Sequence, residues 1–263
     1  MPMHLKTTAA IFKFTLLEVV RTRLWIFALS VVGIMFVVAE FTASLAITES
    51  FEYRVITFAT ISRLVAVFIV TLFVSASVIR EFDDATFELI ISRPVSRANW
   101  YASKQLGYFV LAILLSIIFT LPLLYFGSHQ VVIWWVSFFA ELCIVAAASI
   151  AFGITLGNTT MTITAVLAFY LLSRIITALM LMSMRAAEEI AQPANILVAN
   201  FMRGLAYLLP DLSRFANPNW LVNYSPAVNV DLSSDIFYVF VQTVVYCLLL
   251  SSIGLFDLYR RNL

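Results

Sequence analysis

The sequence has little charge and almost no cysteine. Of its 263 residues only 12% are Asp, Glu, Lys or Arg, about half the share that soluble domains carry. The two cysteines, Cys143 and Cys247, both lie inside apolar stretches, where a cysteine is typically a small core residue, which argues against a disulfide or a metal site. The formal net charge of +1 indicates no class of partner, and we expect no nucleic-acid partner.

Residues that carry catalytic or cofactor chemistry are also scarce. The two histidines, His4 and His129, are expected at opposite faces of a membrane, so they are not placed to ligate one haem or metal ion. The sequence contains neither HExxH nor GxSxG, and none of its seven glycines precedes a lysine, which excludes a phosphate-binding P-loop. We therefore expect no catalytic residue, no enzyme activity in this chain, and no metal or cofactor bound by it.

Long apolar stretches dominate what is present. Hydrophobic residues make up 62% of the chain, and a helical bilayer span needs about 20 of them in succession. Phe, Leu, Ile and Val occur in runs rather than in alternation with polar residues, which favours helices over a β-barrel. The sequence predicts an all-α polytopic membrane protein, a single domain over 1–263, with six spans at residues 24–46, 55–79, 106–126, 132–156, 161–183 and 236–257.

The distribution of Lys and Arg predicts the orientation of the spans. Ten basic residues fall on one side: before the first span, between the second and third spans, and in the tail after the last span. The other side has four, spread over many more residues. Because cytoplasmic loops are enriched in Lys and Arg, both termini are expected in the cytoplasm. The first apolar run is not a cleaved signal peptide, because it is too long for one and no small-residue cleavage site follows it.

Two regions outside the spans are predicted to be helical. Residues 5–22 have a broad apolar side and separate polar positions, as expected of an amphipathic helix in the membrane interface; the alternative is that they simply extend the first span. Residues 185–235, on the outer side, are too apolar for a plain loop, and Pro193 and Pro210 mark a helix start and a helix end. This outer region could gate a path, recognise a substrate, or meet a periplasmic or accessory membrane partner.

Four charged residues fall inside predicted spans: Glu40, Arg63, Glu141 and Arg174. Such charges are costly and usually face a partner or a cavity, and a rise of about 1.5 Å per residue places all four near one depth in the outer half of the membrane. The simplest pairing joins Glu40 to Arg63 and Glu141 to Arg174. The four charges then either line a substrate path or gate, or act as a structural lock between helices.

Gly153 and Gly157 form a small-xxx-small pattern at the end of the fourth span. Small residues allow helices to approach closely in lipid. The pattern predicts a packing face, either within the subunit or across a dimer.

The segment from Arg80 to Lys104 is the one long polar stretch on the cytoplasmic side, and it contains eight charged side chains, four of each sign. Residues 81–92 are predicted to form a short helix that Pro94 ends, and Ser96 is expected to cap the next helix. A short helix connected stiffly to two spans would transmit a push to both of them. The alternative is a solvated turn at the membrane interface.

The segment REFDDATFELIISRPVSRANWYASKQLG resembles the coupling segment of type-2 ABC exporter permeases. In that family an acidic residue after the second span precedes a Gly-Thr-x-Glu-x-Leu-x-Ser-x-Pro-x-Ser-Arg pattern, and Lys-x-x-Gly opens the third span. The chain departs from the pattern at Ala85, where the family often has glycine, and at Ile90, where leucine is usual. The matching residues are Thr86, Glu88, Ile90, Ser92, Pro94, Ser96, Arg97, Lys104 and Gly107.

The resemblance extends over the whole chain. An interfacial first helix, six spans, a helical outer insertion and a basic tail belong to the family pattern, and the stretch from Leu208 to Phe215 resembles one seen in the nitrous-oxide-reductase-maturation-like branch. The resemblance implies a permease in a bacterial cytoplasmic (inner) membrane. It would work as a homodimer or a heterodimer in the lipid bilayer, with two copies of an ATP-binding subunit that hold the ATP and Mg²⁺.

The resemblance also implies an interface with the ATPase and a mechanism. Closure of the ATP-bound dimer would move the coupling helix and the N-terminal helix, and so open or close a path between two permeases. The candidate contact residues are Glu81, Phe82, Phe87, Glu88, Ile91, Arg93 and Pro94. Two alternatives stay open: an anchor or assembly factor that binds an ATPase but moves no substrate, and a secondary transporter or channel acting alone.

Overall fold

A computed structural model describes residues 3–46, 49–84, 96–128, 130–189, 192–222 and 232–260. In these ranges every regular element is helical. The longer helices are α1 (Met3–Arg21), α2 (Leu24–Leu45), α3 (Ser50–Asp83), α4 (Arg97–Tyr125), α5 (Val131–Leu156), α6 (Thr159–Glu189), α7 (Pro193–Leu208) and α9 (Leu232–Arg260). A 3₁₀ turn (Arg214–Ala216) and the one-turn helix α8 (Asn219–Val222) lie between α7 and α9.

Six of the described helices are long and apolar enough to cross a membrane: α2, α3, α4, α5, α6 and α9. The prediction of an all-helical, multi-pass membrane protein is therefore confirmed. Helices α3 and α4 are longer than the spans predicted for them, and at about 1.5 Å per residue α3 reaches about 50 Å. Because a bilayer core is about 30 Å thick, part of α3 must project beyond it.

Helix α5 forms the centre of the bundle. In its most apolar stretch 72% of the residues are buried, against 22% in α2 and 17% in α9. It packs against α3, α4, α6 and α9, and its run of small residues, Ala146 to Ser149, is fully buried. Small side chains allow neighbouring helices to approach closely where no hydrophobic effect drives them together.

The first helix is separate from the first span. Helix α1 ends at Arg21 and α2 begins at Leu24, with Arg23 between them in the left-handed conformation (φ 53°). Residues 5–22 therefore do not simply extend the first span, since a break in direction separates the two helices. Helix α1 packs against α4, where Gly107 leaves room for Thr15: a Cβ on Gly107 would lie 2.7 Å from the Thr15 Cγ2.

Helix α7 and the residues after it lie against the spans. Pro193 occupies the first turn of α7, as the sequence predicts, because proline lacks only an N–H that would be unpaired there anyway. The backbone N–H of Leu212 donates to the Ser173 carbonyl at 3.2 Å, and Ser137 donates its hydroxyl to the Phe215 carbonyl. These bonds fix the Leu208–Phe215 stretch on α5 and α6.

The Gly153–Gly157 pattern does not form one packing face. A Cβ on Gly153 would meet the Val78 side chain at 3.4 Å, so Gly153 permits the close approach of α5 and α3 within the chain. Gly157 instead follows the last residue of α5 with φ 62°, a left-handed conformation that glycine adopts without a Cβ clash. The two glycines therefore have different roles within the chain, and a packing face across a dimer stays a prediction.

Candidate functional site

A buried lysine joins three helices near the ends of α3 and α4 that flank residues 85–95. Lys104, only 1% exposed, forms an ion pair with Glu81 of α3, and its Nζ lies 3.9 Å from the Glu18 carboxylate of α1. Ser77 donates its hydroxyl to Glu18 at 2.8 Å, and Tyr108 donates to Ser77 at 2.9 Å. We call these five residues the Lys104 network; it connects α1, α3 and α4.

The network holds more negative than positive charge. Glu18 and Glu81 face one ammonium group, and the Oε2 atom of Glu18 is buried without a hydrogen-bond donor in the described part of the chain. Charges removed from water are expensive unless they are paired in good geometry. Each charged side chain of the network therefore depends on its partners, because moving one of them would leave a buried charge unpaired.

The described residues on either side of residues 85–95 are packed against the bundle. At the first end, the Phe82 ring meets the buried Trp100 ring edge-on, with 5.9 Å between centroids. At the second end, the Ser96 hydroxyl accepts a hydrogen bond from the Asn99 N–H at 3.2 Å, which confirms the predicted cap. Arg97 then donates to the Leu258 carbonyl at 2.9 Å, where a cation is favourable at the carboxyl end of α9.

The predicted ATPase-contact residues separate into two groups. Glu81 is 7% exposed and Phe82 is half-buried, so both side chains are engaged within the chain. The others, Phe87, Glu88, Ile91, Arg93 and Pro94, lie outside the described residues. Their contact with a partner stays a prediction.

A cavity of about 390 Å³ lies beside the network, between α1 and α3. Its lining mixes apolar and charged side chains of both signs, among them Phe14, Leu17, Arg21, Arg80 and Asp84. The cavity is adjacent to the point where the described part of α3 ends and residues 85–95 begin.

A second charged cluster lies inside the membrane-spanning bundle. Glu141 of α5 is fully buried and receives two guanidinium groups: Arg63 of α3 binds its Oε2, and Arg174 of α6 donates to its Oε1 at 3.1 Å. The Tyr170 hydroxyl also donates to Oε1, at 2.8 Å. We call Arg63, Glu141, Tyr170 and Arg174 the arginine cluster.

The two arginines of the cluster have different surroundings. Arg63 is 1% exposed and lies over the rings of Trp134 and Phe138, at 4.8 and 5.5 Å from their centroids. Such cation–π contacts are attractive once the charge is out of water. Arg174, by contrast, has 22% of its side chain exposed on α6, so the cluster opens to the surface of the chain only at Arg174.

One of the two predicted charge pairings is wrong. Glu141 and Arg174 do pair, but Glu40 binds Arg54 at 3.1 Å rather than Arg63. Arg54 lies just before the predicted span 55–79, whereas α3 begins at Ser50 and carries Arg54 in its first two turns, level with Glu40. Arg63 lies nine residues further along, about 13 Å deeper, where Glu141 is within reach.

Sequence reasoning missed Tyr170 and the pairing role of Lys104. Tyr170 precedes Arg174 by four residues, so the two side chains lie on one face of α6; that spacing was a readable signal. The sequence predicts Lys104 as part of the Lys-x-x-Gly pattern and Glu18 as a polar position of the amphipathic helix 5–22; only the packing of α1 against α4 brings Glu18 to Lys104. The distance between Glu18 and Lys104 along the sequence does not indicate that the two side chains meet.

Among the described residues no group of three or more His, Cys, Asp or Glu side chains is arranged to hold a metal ion. The chain matches no protein-family model and no curated protein.

Proposed function

We propose that the chain is the permease subunit of an ATP-driven exporter of the type-2 ABC class, in a bacterial cytoplasmic membrane with both termini inside. The observation that carries this proposal is the Lys104 network. It joins the two helices that flank residues 85–95 to each other and to α1. In this function, two permease copies form the path and two separate ATP-binding subunits bind ATP and Mg²⁺.

The network offers a physical route for coupling. A force on residues 85–95 acts on the ends of α3 and α4, and the ion pair between Glu81 of α3 and Lys104 of α4 joins these two helices. Because the buried charges tolerate little separation from one another, movement of α3 or α4 also moves α1 through Glu18. Specific contacts with the ATPase would come from Glu88 and Arg93, with Phe87, Ile91 and Pro94 shaping the surface; such charges contribute mainly specificity.

The first experiment is purification of the tagged chain in mild detergent, with Mg²⁺-dependent ATP hydrolysis measured in the eluate. We expect an ATPase at about equal stoichiometry, and its release by the charge reversals Glu88→Lys and Arg93→Glu. Arg203→Glu, an exposed change on α7, is the matched control and should retain the ATPase. Purification of the chain alone, from membranes that contain a candidate ATPase, would contradict the proposal.

A second arm tests the network itself. Lys104→Met leaves residues 85–95 unchanged, so the variant should retain the ATPase but alter the hydrolysis rate per bound ATPase. Thermal unfolding of the purified variant shows whether it is folded. An unchanged rate in a folded Lys104→Met complex would mean that the network only holds helices together.

The arginine cluster favours a second candidate function, a secondary transporter acting alone. Ionisable residues inside a membrane often mark an ion path, and the cluster includes three of them. ATP dependence distinguishes the two functions, since transport by the chain alone in vesicles without nucleotide would favour the second. An anchor or assembly factor would bind the ATPase as the permease does but show no transport.

A further inference from the structure

The arginine cluster has an excess of positive charge. Its ionised groups are two guanidiniums and one carboxylate, and Tyr170 adds only a neutral hydroxyl. A net charge this far inside a membrane protein is costly and normally has a counter-ion or a functional role. One elementary charge is therefore uncompensated within the described residues.

Arg174 is the place where a counter-ion can bind. One of its amino groups donates to Glu141, and within the part of the chain that the structure describes its other N–H groups have no partner. They are not enclosed, because the side chain is 22% exposed. A guanidinium presents its donors in a planar fork that matches phosphate and carboxylate groups, so the open side of Arg174 is shaped for an oxyanion.

The described carboxylates near Arg174 are already paired within the chain. Glu141 binds both arginines of the cluster, and Asp211, whose neighbour Leu212 donates its N–H to the Ser173 carbonyl, binds Arg214. The face of α6 around Arg174 is apolar: Leu171 and Ile175 are about half exposed. A molecule that binds here therefore meets apolar surface beside the cation.

We infer that Arg174, held in place by Glu141, binds the phosphate-type oxyanion of an amphipathic molecule at the surface of α6. Glu141 and Tyr170 orient the guanidinium, and the apolar face of α6 contacts the rest of the molecule. That the bound molecule is the transported one rests on the proposed function. The binding itself does not, because it needs neither an ATPase nor ATP.

The test measures binding of two fluorescent lipids to the purified chain in detergent: phosphatidic acid, and a diacylglycerol with the same acyl chains and label but no phosphate. We expect the wild-type chain to prefer phosphatidic acid, and Arg174→Gln to weaken that binding about tenfold, as expected for the loss of one charge-assisted contact. Binding of the diacylglycerol should not change. Arg185→Gln, an exposed arginine further along α6, is the matched control and should stay within about twofold of the wild type.

Equal loss of both lipids in Arg174→Gln, or a loss no larger than in Arg185→Gln, would overturn the inference. Competition identifies the source of the oxyanion: displacement by inorganic phosphate indicates a site for free phosphate, whereas displacement by unlabelled phosphatidic acid alone indicates a lipid headgroup.

A measurement on the unchanged chain covers the case in which Arg174→Gln does not fold. A photoreactive phosphatidic acid should label α6 within one turn of Arg174, and the diacylglycerol analogue should not. Labelling confined to other helices would overturn the inference. Neither assay contains an ATPase, so a failed co-purification would leave these results unaffected.

Discussion

At the scale of single residues, the carboxylate of Glu141 gathers the three other side chains of the arginine cluster around it. It is fully buried and accepts hydrogen bonds from Arg174 and Tyr170 and an ion pair from Arg63. Removing one partner of a buried ion pair strands the other charge in a medium of low polarity. Here one change would strand two guanidiniums.

Glu141→Gln is therefore expected to lower the free energy of unfolding by about 3–5 kcal/mol. Glu40→Gln is the matched control: its pair with Arg54 is more than 30% exposed on both sides, and exposed pairs contribute about 1 kcal/mol or less. Thermal unfolding in detergent measures both variants. A loss in Glu141→Gln no larger than in Glu40→Gln would mean that the two arginines are solvated.

Residue spacing predicted one of the two charge pairings, that of Glu141 with Arg174. Glu141 and Arg174 belong to consecutive spans, so their pairing could be inferred from depth alone. The partner of Glu40 could not, because Arg54 and Arg63 lie on the same helix and the choice depends on where that helix begins. The start of α3 at Ser50 put Arg54, not Arg63, level with Glu40.

At the scale of helices, the contact between α1 and α4 depends on a missing side chain. Gly107 has no Cβ, and the Thr15 side chain occupies the space that a Cβ would need, with Thr15 Cγ2 and Cβ at 2.7 and 2.9 Å. The Thr15 hydroxyl donates to the Ile11 carbonyl at 3.1 Å, and the residue is fully buried. The position of α1, and with it Glu18, follows from this close approach.

Gly107→Ala should push α1 away from α4 and lower the free energy of unfolding by about 1–3 kcal/mol, the usual effect of overpacking. Gly33→Ala is the control, since no atom lies within 4 Å of the position its Cβ would take. Alanine is the better helix former by about 1 kcal/mol, so Gly33→Ala should be neutral or stabilising. Equal unfolding temperatures for the two variants would contradict the close contact.

At the scale of the whole molecule, the six spans look alike in sequence but occupy different places in the bundle. All six pass the same test of length and apolar composition, yet their buried shares range from 17% in α9 to 72% in α5. Lipid tails are as apolar as a protein interior. Hydropathy therefore identifies a span but does not tell whether protein or lipid surrounds it.

The orientation of the whole molecule leads to a labelling prediction. In a Cys143→Ala, Cys247→Ala background, Ser213→Cys should react with a membrane-impermeant maleimide in intact spheroplasts. Thr22→Cys should react only after the membrane is opened, because the excess of basic residues predicts that this end lies inside. Both positions are exposed, so access to the reagent depends on the side of the membrane. The reverse pattern would contradict cytoplasmic termini.

The sequence by itself determined that the chain is a helical, multi-pass membrane protein with six apolar spans, and that it contains no P-loop for ATP. These properties depend on local composition, because a span must satisfy its own backbone hydrogen bonds in lipid. Only the tertiary structure decided that α5 is central, that Lys104 joins α1 to α3, and that Arg63 reaches Glu141 rather than Glu40. Those pairings depend on which helices are neighbours and how each is rotated, and the sequence of one helix does not contain that information.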